Sequence, residues 1–259
     1  MRNSDRASSA AQWMWHARQQ RASFCNLPDD LRPETIAEAY RAQEAYSQLA
    51  EQLYGTVGGA KVATTTRVMQ QLMGISHPCS GVIFARTIHT SPTRVRSTDF
   101  VNLRIECEIA LTLGADLPAS GAAWTREMVA LAVAAAMPAF ELIEDRRANY
   151  AHADVFSMIV ENCWNAGVVI GAPKPIRVTS LVGIAGRLTV NGKVTAEGVA
   201  EDPCATLAWL ANHLAERGHD LNAGMVIITG SLIPTLSISR GQRVVFTVDG
   251  LGETVIDLL

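Results

Sequence analysis

Apolar residues recur along this chain at two different periods, and the change from one to the other divides it. Ile36, Tyr40, Tyr46, Leu49, Ala50 and Leu53 repeat at helical spacing, with Pro33 suited to a first turn, so a helix is expected over about 34–53. Gly55, Gly58 and Gly59 close it. Residues 5–25, with Trp13, Trp15, Ala17 and Phe24, also read as helical, though without a clean stripe. Residues 1–55 therefore form a helical N-terminal appendage, and residues 56–259 a β-rich body.

Within that body the clearest signal is Leu103 to Leu113. Leu103, Ile105, Cys107, Ile109, Leu111 and Leu113 fall on one face, and Arg104, Glu106, Glu108, Ala110 and Thr112 on the other, the alternation of a half-buried strand. Asn191-Gly192 joins the β runs Val182–Val190 and Lys193–Glu197, the strongest hairpin signal in the chain. Further strands are expected at 139–143, 167–171, 225–229, 242–248 and 253–258. Short helices are expected over 66–73, over 125–137 up to Pro138, over 154–161, and from Asp202-Pro203 to Arg217. Strands and helices do not alternate regularly, which disfavours a Rossmann sheet or a TIM barrel and favours an α+β fold rich in antiparallel sheet.

Composition narrows the class. At 259 residues the chain suits one large domain, or a core with a smaller appendage. With 48% hydrophobic and 18% charged residues it is not a disordered chain. A net charge of −3 offers no footprint for nucleic acid or an anionic membrane. Five scattered cysteines without a C-x-x-C pair read as reduced thiols. The N-terminus lacks the apolar core of a signal peptide, and the longest apolar run, Met128 to Phe140, is too short to span a bilayer. The expected location is cytoplasmic.

A few residues stand out chemically. Glu106 and Glu108 lie two apart on one strand face, so their carboxylates are about 7 Å apart by strand rise. Spacing alone favours a solvent-facing surface balanced by Arg104; the alternative is a grip on one hard cation, for which oxygen-only ligands select Mg²⁺ or Mn²⁺. Glu141 sits in the otherwise apolar Pro138–Ile143 and needs a partner if buried. Glu144-Asp145-Arg146-Arg147 reads as a salt-bridged surface. Of 22 basic residues only Lys61, Lys174 and Lys193 are lysine. Lys61 follows Gly58-Gly59-Ala60 and precedes the hydroxyls of Thr64-Thr65-Thr66, a setting for anion binding. Thr229-Gly230-Ser231 ends a strand with hydroxyl and amide donors, a usual place for substrate contacts.

Taken in order, Gly59-Ala60-Lys61-Val62, Met69–Gly74, Ile105–Ala110, Phe140-Glu141-Leu142, Glu161–Gly167, Trp209–Asn212 and Ile228–Leu232 resemble the 2-keto-4-pentenoate hydratases and 4-oxalocrotonate decarboxylases of the fumarylacetoacetate hydrolase superfamily. The resemblance covers about residues 30–259. It implies a mixed β-sandwich roll with a helical N-terminal region. It implies Mg²⁺ or Mn²⁺ held by Glu106, Glu108 and Glu141, with Lys61 beside the substrate and Glu161 as a proton carrier. The implied substrates are short 2-oxo or 2-hydroxy-dienoic acids of aromatic meta-cleavage catabolism, and the implied state is a homo-oligomer, with a complex with a related pathway enzyme as a further option. Three departures stand out: Ala60 before Lys61, Glu161 where an Asp-Asn pair is usual, and a short stretch from Thr195 to Asp202.

Both activities draw on the same electron sink, so the acidic motif does not separate them. Apart from Lys61 the motifs place no cation for a second, distal carboxylate, and this favours a hydratase over a decarboxylase. A non-catalytic partner subunit of the same fold is a third reading, opposed by the intact Lys61, Glu106, Glu108 and Glu141 set.

Overall fold

The computed structural model describes residues 3–120, 123–175 and 181–259. Two mixed sheets stack against each other, and helices cover the outer face of the larger one. The N-terminal helices are α1 (Asn3–Gln19) and α2 (Ile36–Tyr54). Thr35 caps α2 by accepting from the Glu38 amide at 3.2 Å, and Gly55 closes it at φ +79°. α1 ends before the expected Cys25: Arg21 turns left-handed at φ +55°, and the chain then runs extended, with the Phe24 amide on the Arg146 carbonyl.

The larger sheet holds β1 (Val57–Ala63), β2 (Cys79–Phe84), β3 (Ile88–Thr90), β5 (Leu103–Leu113), β6 (Val133–Glu144), β7 (Asn165–Ile170) and β10 (Val226–Ser237), in the order β2-β1-β10-β5-β6-β7-β3. The smaller is β4-β12-β11-β8-β9, from β4 (Thr93–Val95), β8 (Ala185–Val190), β9 (Lys193–Val199), β11 (Arg243–Val248) and β12 (Gly252–Leu258). Parallel pairing of β1 with β10, β3 with β7 and β4 with β12 makes both sheets mixed. The Asn191-Gly192 hairpin joins β8 to β9 as expected. A Cβ at Gly59 would overlap the Val226 carbonyl, so only glycine lets β1 lie this close to β10.

The apolar face of β5 forms the core between the sheets. Ile105, Cys107 and Ile109, with Phe140 and Leu142 of β6, meet Leu188, Val244, Phe246 and Ile256 of the smaller sheet. On the opposite face α1 and α2 share a second core with Phe84, Ile143, Trp164 and α5 (Val155–Val160). The charged face of β5 therefore looks toward the helical side.

The expected helix over 125–137 is a correction. Only α4 (Arg126–Ala132) is helical, and the alanine-rich stretch after it is the start of β6. Alanine favours helix in isolation, but here Ala135, Ala136 and Met137 pair with Thr112, Leu111 and Ala110 of β5, and the ladder outweighs propensity. Pro138 is tolerated because β7 ends beside it. Its carbonyl still accepts from the Gly171 amide, so only one ladder bond is lost.

The remaining helices are α3 (Arg67–Leu72) and α6 (Pro203–Ala215), the latter capped by Asp202. No helix among the described residues is long and apolar enough to cross a membrane. His213 on α6 stacks on Trp209 (4.9 Å between ring centroids) and lies against Tyr40 (4.7 Å). Burial, then the charges of Arg217 and His77, pull its pKa down from 6.5 to about 4. Between those values the unfolded chain binds the proton and the folded protein does not, so stability is lost as pH falls from 6.5 through 4. Melting temperature measured against pH should fall less steeply for His213→Phe over that window; parallel curves would contradict this role.

Candidate active site

The β5–β6 ladder brings the acidic residues together. Glu106 pairs directly with Glu141, and Glu108 projects from the same face two residues on. The three carboxylates each offer an oxygen within 4.8 Å of the others. Glu108 and Glu141 are fully buried, and Glu106 is half-buried. Lys61 reaches over from β1, and its Nζ lies 2.8 Å from Glu141 Oε1. Asn165, the first residue of β7, donates to the same oxygen at 2.9 Å. A bulge in β10 turns the Gly230 amide inward, where it donates to Glu108 Oε2 at 2.8 Å. Gly230 sits at φ +109°, and a Cβ there would press on Thr65. Thr235 donates its hydroxyl to Glu106 Oε1.

Three carboxylates against one ammonium leave two negative charges in a largely buried cluster. Glu108 Oε1 and Glu141 Oε2 are buried with no hydrogen-bond partner among the described residues. Burial, then the charges of Glu141 and Glu106, hold Glu108 well above the usual carboxylate range. Burial also raises Glu141, outweighing the opposing pull of Lys61. For Lys61 burial is the largest single influence and acts downward, but the attraction and hydrogen bond of Glu141, with the fields of Cys163 and Glu106, together outweigh it and keep the ammonium charged. Unpartnered, all-oxygen donors with two uncompensated charges fit a hard divalent cation.

The cluster opens into a cavity of about 550 Å³. Lys61, Glu106, Gly230 and Ser231 line it at the polar end, and Ile143, Met158 and Trp164 supply apolar wall. Among the described residues no arginine lines it. Part of the wall comes from a strained turn between α5 and β7. Asn162, Cys163 and Trp164 are consecutive left-handed residues (φ 55°, 48° and 60°), a conformation costly for side-chain-bearing residues. The Asn162 side chain locks the turn to β2, accepting from the Val82 amide at 2.7 Å and donating to the Val82 carbonyl at 2.8 Å. The turn faces Cys163 and Trp164 into the cavity and aims Asn165 at Glu141.

Of the residues singled out in the sequence, Lys61, Glu106, Glu108 and Glu141 converge. Gly230 and Ser231 line the cavity beside them. The Ser231 hydroxyl is engaged with the backbone, donating to the Ile233 carbonyl at 2.6 Å and accepting from the Cys107 amide. Thr229 is buried, and its hydroxyl donates to the Ile109 carbonyl at 3.2 Å, so it holds β10 to β5.

Glu161 is the correction. It lies outside the cavity lining, fully buried, with its oxygens 2.7 Å from Arg146 Nε and Nη2 and one of them 3.3 Å from Arg18. Both oxygens are engaged by guanidinium groups, so the geometry gives it no reach to a substrate in that cavity. Its partner overturns a second expectation: Arg146 is 1% exposed and Asp145 0%, so the acidic-basic run after β6 is interior rather than a salt-bridged surface. Glu161→Ala should cost about 3–5 kcal/mol of stability in denaturant unfolding, because it strands a buried guanidinium. A loss of turnover with full stability would instead restore Glu161 to the chemistry. Sequence reasoning gave no role to Asn165, which lies in the Glu161–Gly167 motif, or to Thr235 and Tyr150, which carry no local signal; they meet the site through strand register and loop closure.

With this geometry established, comparison with known proteins is direct. A family model for the fumarylacetoacetate (FAA) hydrolase C-terminal domain matches residues 40–258. The chain belongs to the fumarylacetoacetate hydrolase family. Members similar to it along nearly the whole length are enzymes. It is 31% identical over 243 residues to the 2-oxo-hept-4-ene-1,7-dioate hydratase of Escherichia coli, covering 90% of each chain. It is 25% identical over 258 residues to the 2-keto-4-pentenoate hydratase of Paraburkholderia phymatum, covering 98% of this chain and 97% of that one. Among solved structures the fold is similar to the 4-oxalocrotonate decarboxylase from Pseudomonas putida G7, determined with magnesium and adipate, at a TM-score of 0.90 and 24% identity over 98% of each chain. The α+β fold and the family read from the ordered motifs are thereby confirmed, and the chain is an enzyme of this family.

Proposed function

We propose that this enzyme is a divalent-metal-dependent hydratase that adds water to a short 2-hydroxy-dienoate or its 2-oxo-enoate tautomer, of the 2-keto-4-pentenoate type. The observation that carries the reading is the convergence of Lys61 with Glu106, Glu108 and Glu141 at the polar end of one apolar-walled cavity. Glu106, Glu108 and Glu141 would hold Mg²⁺ or Mn²⁺. When bound, the cation supplies Lewis-acid polarisation of the 2-oxo acid.

The chain's own residues do the rest. Lys61, charged and fixed by Glu141, presents its remaining N–H groups to the substrate carboxylate or to O2, where negative charge develops once the enol proton leaves. A proton delivered to C5 then gives the conjugated 2-oxo-3-enoate. Water adds its oxygen to C4, and a proton added at C3 completes the 4-hydroxy-2-oxo acid. The apolar wall of Ile143, Met158 and Trp164 packs the hydrocarbon end and excludes bulk water from the electron-rich intermediate. Hydratases among the relatives support this reading over decarboxylation.

Product analysis decides it. With Mg²⁺ and 2-hydroxypenta-2,4-dienoate, loss of the dienol chromophore with formation of 4-hydroxy-2-oxopentanoate is the expected result. Rapid CO₂ release from 4-oxalocrotonate, without water addition to the five-carbon dienoate, would make the enzyme a decarboxylase.

A further inference from the structure

The apolar end of the cavity has an arginine directly behind it. Arg104 lies two residues before Glu106 on the same face of β5 and pairs across the sheet with Ile143, which lines the cavity. By strand rise it stands about 7 Å along from the acidic cluster. A cation there is where a substrate anchored by its 2-oxo acid end could meet a second carboxylate, yet Arg104 does not line the cavity. The Tyr150 ring does, and the Arg104 guanidinium carbon sits 6.0 Å from the centre of that ring.

Asp145 holds both groups in place. It is fully buried; Oδ1 accepts two hydrogen bonds, and Oδ2 accepts one and makes an ion-pair contact. Asn102 Nδ2 (2.7 Å) and the Arg147 amide (2.9 Å) meet Oδ1. The Tyr150 hydroxyl (3.1 Å) and Arg104 Nε (2.8 Å) meet Oδ2. Trp164 packs edge-on against Tyr150 at 5.2 Å from the cavity side, so the ring has little freedom to swing away. Toward its other end the cavity is lined by Glu201, which repels an anion.

We propose that Tyr150, latched to Asp145, walls Arg104 off from the cavity and so makes the site selective for dienoic acids whose distal end is uncharged. Tyr150 is a specificity determinant here, and Asp145 positions it. The inference rests on the reading of the cavity as a 2-oxo or 2-hydroxy-dienoic acid site. Asp145 contacts Arg104 at Nε, and among the described residues no hydrogen bond holds its Nη groups, so opening the wall makes them available. They can then take a carboxylate in a charge-assisted pair, worth about tenfold or more in affinity.

Two measurements test this. Calorimetric titration of the wild-type holoenzyme with hexanoate and with adipate reads the discrimination without turnover; hexanoate should bind at least about tenfold tighter. Equal affinities, tighter adipate, or binding of neither acid would overturn the proposal. In kinetics, Tyr150→Ala should raise the kcat/KM ratio for 2-oxohept-4-ene-1,7-dioate over 2-hydroxypenta-2,4-dienoate by about tenfold or more, and Tyr150→Ala/Arg104→Gln should lose that gain. A folded Tyr150→Ala enzyme with an unchanged ratio, or a gain that survives loss of Arg104, refutes the wall. Wild-type enzyme inactive on both dienoates would defeat the hydratase reading alone, since the calorimetric comparison stands apart from it.

Discussion

Replacing Glu108 by glutamine should reduce kcat/KM by about 10³-fold or more and at the same time raise the melting temperature of the metal-free protein. The first effect follows from the loss of one of three oxygen donors to a cation whose polarising effect is worth several kcal/mol, at about 1.4 kcal/mol per tenfold. The second follows from electrostatics. Glu108 is buried beside Glu141 and Glu106, and its pKa in the folded protein lies above its unfolded value. The metal-free folded protein therefore holds more protons than the unfolded chain as pH rises past the ordinary carboxylate range, and loses stability through that window. Glutamine removes the repulsion and can still accept from the Gly230 amide. Added Mn²⁺ should stabilise the wild type strongly near neutral pH and leave Glu108→Gln almost unmoved. Thermal shift with and without Mn²⁺, together with Mn²⁺ titration by electron paramagnetic resonance, gives this opposite-sign pattern directly. Unchanged Mn²⁺ affinity in the variant would remove Glu108 from the metal site, and chelation by EDTA without loss of turnover would remove the metal from the mechanism.

Lys61→Met is the second large effect. If the ammonium stabilises charge that grows in the transition state, kcat/KM should fall about 10²-fold or more, as for the loss of an oxyanion donor. The same substitution removes the ion pair at 2.8 Å from a fully buried Glu141, and breaking one side of a buried pair costs about 3–5 kcal/mol. The two consequences separate in a double variant. Lys61→Met/Glu141→Gln should recover most of the stability, since neither charge is left alone, while activity stays lost. Near-wild-type kinetics in Lys61→Met would reduce Lys61 to a structural counter-ion for Glu141.

Much of this site was legible before any fold was known, for reasons that can be located. Alternation along Leu103–Leu113 places Glu106 and Glu108 on one face, because side-chain direction in a strand has period two whatever the strand packs against. Asn191-Gly192 dictates its hairpin through backbone geometry alone. Thr66 and Asp202 mark helix starts because a cap bonds within its own turn. The scarcity of lysine singled out Lys61, and the order of motifs along the chain identified the family.

What remained depended on contacts between distant residues. The alanine run after α4 has the local preference of a helix, and only pairing with β5 makes it β6. That same register sets Glu106 opposite Glu141, and the β2-β1-β10-β5-β6 order carries Lys61 to them. The sequence reading places Arg146 on a salt-bridged surface and Glu161 at the substrate. They are interior because each is the other's partner, a fact that appears only when β6 and α5 are brought together. Tyr150 gains its place at the cavity the same way, from a buried Asp145 that also holds Arg104. By itself, then, the sequence determined what propagates through neighbouring residues: strand faces, caps, the hairpin and the types of residue able to bind a cation. The tertiary structure decided which charges are buried together, because the cost of burying a charge is set by its partners in space, not by its neighbours along the chain.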